Sequence, residues 1–372
     1  MNWEWFLVAL PVVFLLGWFA ARMDIRHIRK AAGALPRAYL QGLSHLLRGE
    51  KSAALDCFLR AEPLDPESEE LQFAIGELSR ARGEHRRALK IHHSLCERET
   101  IGPENRLRAR WALARDYFGM GFLDIAEKHA ALLAVEEEYR ECAGGMLLDI
   151  FQRARKYEDA LGALARMPPD AALARRRTRA HLLCECAARA SEKKEELLNE
   201  ALAADGGCVR ANLMLGEAAA EKENNAAAAE YFAAAERQNT AYIWLAVPGL
   251  CAAFESQNRA DEGEKKLRAW LESYPSPALF AAVYRALAAR GRADGLAFEG
   301  VRGGRGAAAA AAWAAEQSAD GAKRDFWRAL EDSFAAPGWR CETCGYQTGD
   351  FSWQCDNCLS WESFRYAPAA KS

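Results

Sequence analysis

The stretch GLSHLLRGEKSAALDCFLRAEPLDP, residues 42–66, decides how the rest of this chain reads. Gly42 is followed by a break at Gly49, then by Ala54, Phe58 and Ala61 in small-x3-large-x2-small order, then by Pro66. Residues three and four apart share a helix face, so this order puts one apolar stripe on a second helix. Proline then stops that helix, because it lacks the N–H and clashes with the preceding turn. Thirty-four residues on, GELSRARGEHRRALKIHHSL (76–95) places Gly76, Gly83, Ala88 and Leu95 at the equivalent positions. The spacing predicts two helices per unit, touching where one residue is small and a large one fills the groove beside it.

Further copies follow. Leu113, Tyr117, Gly121, Ala126 and Ala130 form a third, and Lys156-Tyr157-Glu158-Asp159-Ala160-Leu161 marks another. Then come Leu215-Gly216…Ala228…Phe232…Ala235 and Leu250…Phe254…Leu267…Trp270…Pro275. A 34-residue helix–turn–helix period is that of the tetratricopeptide repeat. Each pair leaves an apolar face that only the next pair covers, so residues 35–300 are expected to stack into an all-α superhelix. A generic helical bundle is the alternative. Such arrays present a groove lined by the first helix of each pair, which suits peptides or protein segments. Tyr39, Phe73, Arg80, Trp111 and Arg115 fall at positions expected to face it, although each also suits packing or a solvated face. The run Arg175-Arg176-Arg177-Arg179 reads as a solvated helix face, or else as a basic patch for lipid headgroups or an acidic partner.

Composition narrows the class. The chain has 372 residues, 49 Lys+Arg against 52 Asp+Glu, a net charge of -3 and 51% hydrophobic residues. That is a folded chain with ample core, and not a surface built to neutralise nucleic-acid phosphates. Seven of its cysteines (Cys57, Cys96, Cys142, Cys184, Cys186, Cys208, Cys251) are scattered without framework spacing and read as buried thiols in a reducing compartment. No phosphate loop, nucleophile elbow or H-E-x-x-H motif is present, so no catalytic residue is assigned and the chain reads as a non-enzyme.

At the N-terminus, residues 1–22 carry an uncharged run from Trp5 to Ala21, WFLVALPVVFLLGWFAA. As a helix it would extend roughly 26 Å at 1.5 Å per residue, close to the thickness of a hydrocarbon core. Trp3, Trp5 and Trp18 sit near its ends, where indoles favour the interface. A cleaved signal peptide would start with a basic segment, whereas this chain starts MNWEW. The basic linker 23–34, with Arg26, Arg29 and Lys30, follows Arg22 and puts the rest of the chain on the cytoplasmic side. The expectation is a single-pass membrane protein; in a bacterial host the membrane would be the inner one, with the N-terminus in the periplasm.

Residues 301–336 form a Gly/Ala-rich break with two short expected helices, and 337–366 form a separate module before the tail 367–372. The module holds two C-x2-C pairs, Cys341/Cys344 and Cys355/Cys358, ten residues apart. Each pair makes a turn that aims two thiolates at one point, and two such turns complete a tetrahedral site. No histidine is near in sequence, the last being His181, so one all-thiolate metal ion, zinc or iron, is implied. Gly345 stands where a knuckle turn favours positive φ, and Trp339, Trp353 and Trp361 are expected to cover the site. Four protein ligands leave no open position for an activated water, so the metal's expected role is structural.

An anchor, a tetratricopeptide array and a C-terminal rubredoxin-like zinc ribbon, with WRCETCGY (339–346) and WQCDNCLSW (353–361), resemble the lipopolysaccharide assembly protein B family of Gram-negative bacteria. The resemblance covers essentially the whole chain. It implies an inner-membrane adaptor that modulates degradation of the lipid A deacetylase by a membrane AAA+ protease. It also implies contact with other lipopolysaccharide synthesis or transport proteins; homodimerisation is left open. From the family pattern only the ligand role is carried over, to Cys341, Cys344, Cys355 and Cys358. Leu359 departs from the glycine common in rubredoxin-like knuckles, which weakens an electron-transfer role more than a structural one. A general peptide-binding membrane scaffold and a rubredoxin-like electron carrier are the other two readings.

Overall fold

The computed structural model describes residues 37–274, 276–292, 296, 321 and 338–367. The expected anchor (1–22), the basic linker (23–34), Pro275, nearly all of the 301–336 break and the tail beyond 367 lie outside the described residues. Among the described residues no helix is long and apolar enough to cross a membrane. The chain divides into two compact units, one up to Leu147 and one from Leu148 onward.

The first unit is a run of antiparallel helix pairs. Helix α1 (residues 37–47) pairs with α2 (Lys51–Ala61), α3 (Glu69–Ala81) with α4 (His85–Glu97), and α5 (Pro103–Gly119) with α6 (Leu123–Leu133). The small-against-large rule read from the sequence is visible in atoms: a Cβ on Gly42 would stand 2.5 Å from Phe58 Cε1. Phe58 is buried with Ala54, Leu55, Ala61, Leu71 and Ile75. Each large apolar side chain buried this way contributes roughly 1.5–3 kcal/mol. In the next pair His92 takes the place of the phenylalanine, and a Cβ on Gly76 would meet its Nε2 at 2.3 Å.

One local device closes almost every pair. Gly49, Gly83 and Gly121 end the first helix of their pairs with φ of 76°, 86° and 80°. The next N–H then reaches back five residues, as in Glu50 to the His45 carbonyl at 2.9 Å and Glu84 to Ser79 at 2.8 Å. This is the left-handed helix stop that glycine adopts at least cost. The same bond recurs at Lys156 to Phe151, Asn224 to Ala219 and Arg259 to Phe254, each 2.9 Å. There the left-handed residue is Arg155, Glu223 or Asn258 instead of glycine. Asparagine adopts this conformation readily, whereas Arg155 and Glu223 take it against their local preference.

The second unit begins within α7 (Arg140–Arg153). It continues through α8 (Tyr157–Arg166), the short α9 (Pro169–Ala174), α10 (Arg176–Arg189) and α11 (Lys194–Ala204). Next come α12 (Val209–Glu221), α13 (Asn225–Gln238), a 3-10 turn (Thr240–Ala246), α14 (Val247–Ser256), α15 (Ala260–Ser273) and α16 (Pro277–Ala288). Phe232 fills the groove at both Gly216 and Gly249, whose added Cβ atoms would stand 2.8 and 2.3 Å from its ring. The pair α10–α11 escapes the sequence pattern. Its turn has no left-handed residue and passes instead through extended Ala190, while Ala180, Leu183, Cys184 and Ala187 pack into one buried cluster with α11. Of the scattered cysteines Cys57, Cys184, Cys186, Cys208 and Cys251 are buried free thiols, whereas Cys96 is half-buried and Cys142 exposed.

A small three-stranded antiparallel sheet completes the second unit, in the order β2 (Gln347–Thr348), β1 (Gly338–Cys341), β3 (Phe364–Ala367). Trp339 pairs with Thr348 on one side and with Tyr366 on the other.

Candidate metal centre and its seat on the repeats

The four cysteines come from two loops built alike. Cys341 N–H donates to the Tyr346 carbonyl (2.8 Å) and Gly345 N–H to the Cys341 carbonyl (2.9 Å). In the second loop Cys355 N–H donates to Ser360 (2.9 Å) and Leu359 N–H to Cys355 (2.8 Å). Gly345 and Leu359 hold the matching left-handed positions, at φ 78° and 60°. The turn needed at Gly345 is therefore present, and Leu359 adopts the same conformation despite its side chain.

The four Sγ atoms all lie within 4.8 Å of one another. Cys341 and Cys358 are 3.7 Å apart, as are Cys344 and Cys355. A tetrahedral ion with M–S near 2.3 Å has S···S edges of about 3.8 Å, so the set fits a single zinc or iron ion. Cys341 and Cys355 are buried, Cys358 is half-buried and Cys344 faces solvent. Burial opposes ionisation of Cys341, yet hydrogen bonds with Ser363 and with the N–H groups of Cys344 and Thr343 prevail and bring it down to about 6. Burial pushes Cys355 up to about 12. Metal binding would displace the protons that such thiols retain.

The tryptophans are placed otherwise than expected. Trp339 does pack beside Cys341, Cys355 and Phe364, but its indole stacks on Trp244 of the array at 5.2 Å between centroids. Trp353 and Trp361 do not cover the cysteines; they turn to the repeats. Trp353 packs against Tyr242 at 5.4 Å, and Trp361 lies among Leu148, Tyr157, Leu182 and Cys186. The ribbon is too small to bury a core of its own, so these rings borrow one from the helices.

Polar groups fix the orientation of this seat. The Trp361 indole N–H donates to Gln152 Oε1 at 2.8 Å, and Gln354 donates to the same oxygen at 3.0 Å. Tyr242 Oη–H donates to the Phe364 carbonyl at 3.3 Å, and Arg365 donates to the phenol oxygen in turn. His181, remote in sequence, stacks flat on Trp361 with its Nε2 3.2 Å from Glu362 Oε1. Gln152, His181 and Tyr242 carry no local motif, and sequence reasoning passed over their part in the seat.

The residues expected to line a groove are placed as follows. Phe73 is only 1% exposed and packs with Leu95, Ile101 and Ala109, so it serves the core. Tyr39 is half-buried and its ring meets Phe58 at 5.6 Å. Arg80 bonds Asp116 at 3.0 Å, and Asp116, fully buried, also takes His92 Nδ1 at 2.5 Å, so one carboxylate ties α3, α4 and α5 together. Trp111 is half-buried, 6.4 Å from Tyr139, and Arg115 is exposed, 3.3 Å from Glu77. Of the basic run, Arg179 pairs with Glu200 at 2.7 Å and Arg177 approaches Glu362 at 3.7 Å.

Residues 339–365 match the family model described as a rubredoxin metal binding domain. Lipopolysaccharide assembly protein B of Escherichia coli (strain K12) is 32% identical over 233 residues, covering 61% of this chain and 60% of that protein. The chain thus spans less than two thirds of that relative's length. The Haemophilus influenzae (strain Rd) protein of the same name is 25% identical over 397 residues, 97% of this chain and 98% of that one. Among solved structures, Naa15/Naa10 bound to HypK-THB has a TM-score of 0.45 at 16% identity, covering 83% of this chain and 56% of that one. At that score the likeness adds nothing to the repeat geometry described above. The resemblance of the motifs therefore holds: the chain's curated homologues carry the name lipopolysaccharide assembly protein B.

Proposed function

We propose, from the premise that its curated homologues are named lipopolysaccharide assembly protein B, that this protein is a non-enzymatic scaffold for lipopolysaccharide synthesis. The observation that carries the reading is the seating of a four-cysteine ribbon in a tetratricopeptide array by buried rings and hydrogen bonds. Such a fastening suits a rigid presenting surface. When bound, the metal would cross-link the two knuckles and supply folding free energy to the ribbon. The chain's own part is to hold four thiolates at tetrahedral spacing and to press Trp339 and Phe364 against them.

In the finer reading, the uncharged run from Trp5 to Ala21 anchors the chain in the inner membrane with the array on the cytoplasmic side. Confinement to the membrane surface raises effective concentration without requiring tight single contacts. The partners are a membrane AAA+ protease and the lipid A deacetylase, which the array presents for degradation. The test is the half-life of the deacetylase before and after depletion of this protein. A markedly longer half-life is expected on depletion. An unchanged one would overturn the adaptor role and leave assembly of synthesis enzymes, read by crosslinked pull-down.

A further inference from the structure

A second cluster of metal-ligating side chains lies where the ribbon meets the repeats. His181 from α10, Cys208 at the start of α12 and Glu362 between the second knuckle and β3 each offer one ligand atom, all within 4.8 Å of one another. All three residues are more than nine-tenths buried. His181 Nε2 and Glu362 Oε1 make an ion-pair contact at 3.2 Å with poor hydrogen-bond geometry, and among the described residues neither atom, nor His181 Nδ1, has another partner. Buried polar atoms left unpaired are costly, which is why native structures contain few of them.

The surroundings hold these groups in place. Trp361 stacks on the imidazole at 4.9 Å, with the rings 7° from parallel. Glu362 takes a left-handed backbone, φ 51°, held by its N–H bond to the Trp353 carbonyl at 2.9 Å. Its second carboxylate oxygen lies 3.7 Å from Arg177 Nε. Cys184, one turn along α10 from His181, has its Sγ 4.0 Å from that of Cys208. Tetrahedral zinc would give an N···O edge of about 3.3 Å, close to the observed separation of 3.2 Å.

We propose that His181, Cys208 and Glu362 form a second and buried zinc site that clamps the ribbon to the repeat array. Cys208 would release one proton to solvent as zinc binds, and the metal would satisfy one imidazole nitrogen and the carboxylate oxygen together. The site is distinct from the four-cysteine centre and draws two of its three protein ligands from the helices.

The test is the zinc content of the purified full-length chain, loaded with zinc and freed of excess by gel filtration. Two zinc ions per chain are expected in the wild type and one in Cys208→Ser. One in the wild type, or two in both, overturns the proposal while leaving the four-cysteine centre standing. Because zinc content alone does not identify a site, cobalt(II) loading gives a second readout. Cys208→Ser and Glu362→Gln should each remove the absorption bands of a site with mixed nitrogen, oxygen and sulfur ligands and leave those of a four-thiolate site. A cobalt spectrum unchanged in both variants overturns the proposal as well.

Discussion

The imidazole of His181 lies flat on the indole of Trp361, their centroids 4.9 Å apart and their planes 7° from parallel, although 180 positions separate them in the chain. The contact joins helix α10 to the ribbon and sits beside the indole N–H bond to Gln152.

Trp361→Ala should therefore loosen the seat by about 3–5 kcal/mol, the usual cost of emptying a buried tryptophan site. Trp361→Phe keeps the ring but removes the donor to Gln152, and should cost nearer 1 kcal/mol. Hydrogen exchange over residues 338–367 would show both effects, with α2 to α6 unchanged. Equal protection of the ribbon in the wild type and Trp361→Ala would contradict the seat described here.

The two knuckles predict opposite outcomes for matched substitutions. Gly345→Ala puts a side chain at φ 78° and should destabilise the ribbon by about 1–2 kcal/mol. Leu359→Gly relieves the same conformation at φ 60° and should be neutral or stabilising. Competition for zinc against a chelator compares the two directly. Weaker metal retention in Leu359→Gly than in Gly345→Ala would count against the equivalence of the loops.

Within the first unit, Asp116 is the joint and Arg115 is not. Asp116→Ala leaves Arg80 and the buried His92 without their shared acceptor, and should cost about 3–5 kcal/mol. Arg115→Ala removes an exposed pair with Glu77 and should cost less than about 1 kcal/mol. Gly76→Ala forces a Cβ into His92 and should cost about 1–3 kcal/mol. Urea unfolding followed by circular dichroism ranks the three, and a large loss from Arg115→Ala alone would reverse the assignment.

Alkaline pH should undo the ribbon's hold on the array. Burial, opposed by Arg365 and aided by the acidic Glu362 and Glu342, pushes the Tyr242 phenol up to about 12. A folded-state pKa above the unfolded value of about 10 stabilises fully below pH 10, and that stabilisation fades as pH rises toward 12. Two pKa units correspond to at most about 3 kcal/mol. Tyr242→Phe should flatten this part of the stability–pH curve, while an unchanged curve would place the alkaline loss elsewhere. Tyr284, also raised to about 12 by burial, remains in that variant as an internal reference.

Much of the architecture was legible because it is local. The Gly42–Phe58 and Gly216–Phe232 contacts follow from spacing along one helix pair, and glycines at 49 and 83 announce their turns by the only backbone they adopt cheaply. The C-x2-C pairs are likewise short-range, since each turn aims its own two thiolates. Where the residue disguises its conformation, as Arg155 and Glu223 do in left-handed turns, the sequence offers no sign. The α10–α11 pair was passed over for a related reason, as its turn carries neither glycine nor any other left-handed residue.

By itself, then, the sequence determined the helical period, the knuckles and the identity of the four thiolates, all of which depend on residues a few positions apart. Only the tertiary structure decided that Trp353 and Trp361 face the repeats, that Phe73 is core, and that His181, Cys208 and Glu362 converge. These are contacts between segments that spacing does not relate. The ribbon's few residues cannot bury their own rings, so its partners are set by which helix surface those rings meet in space.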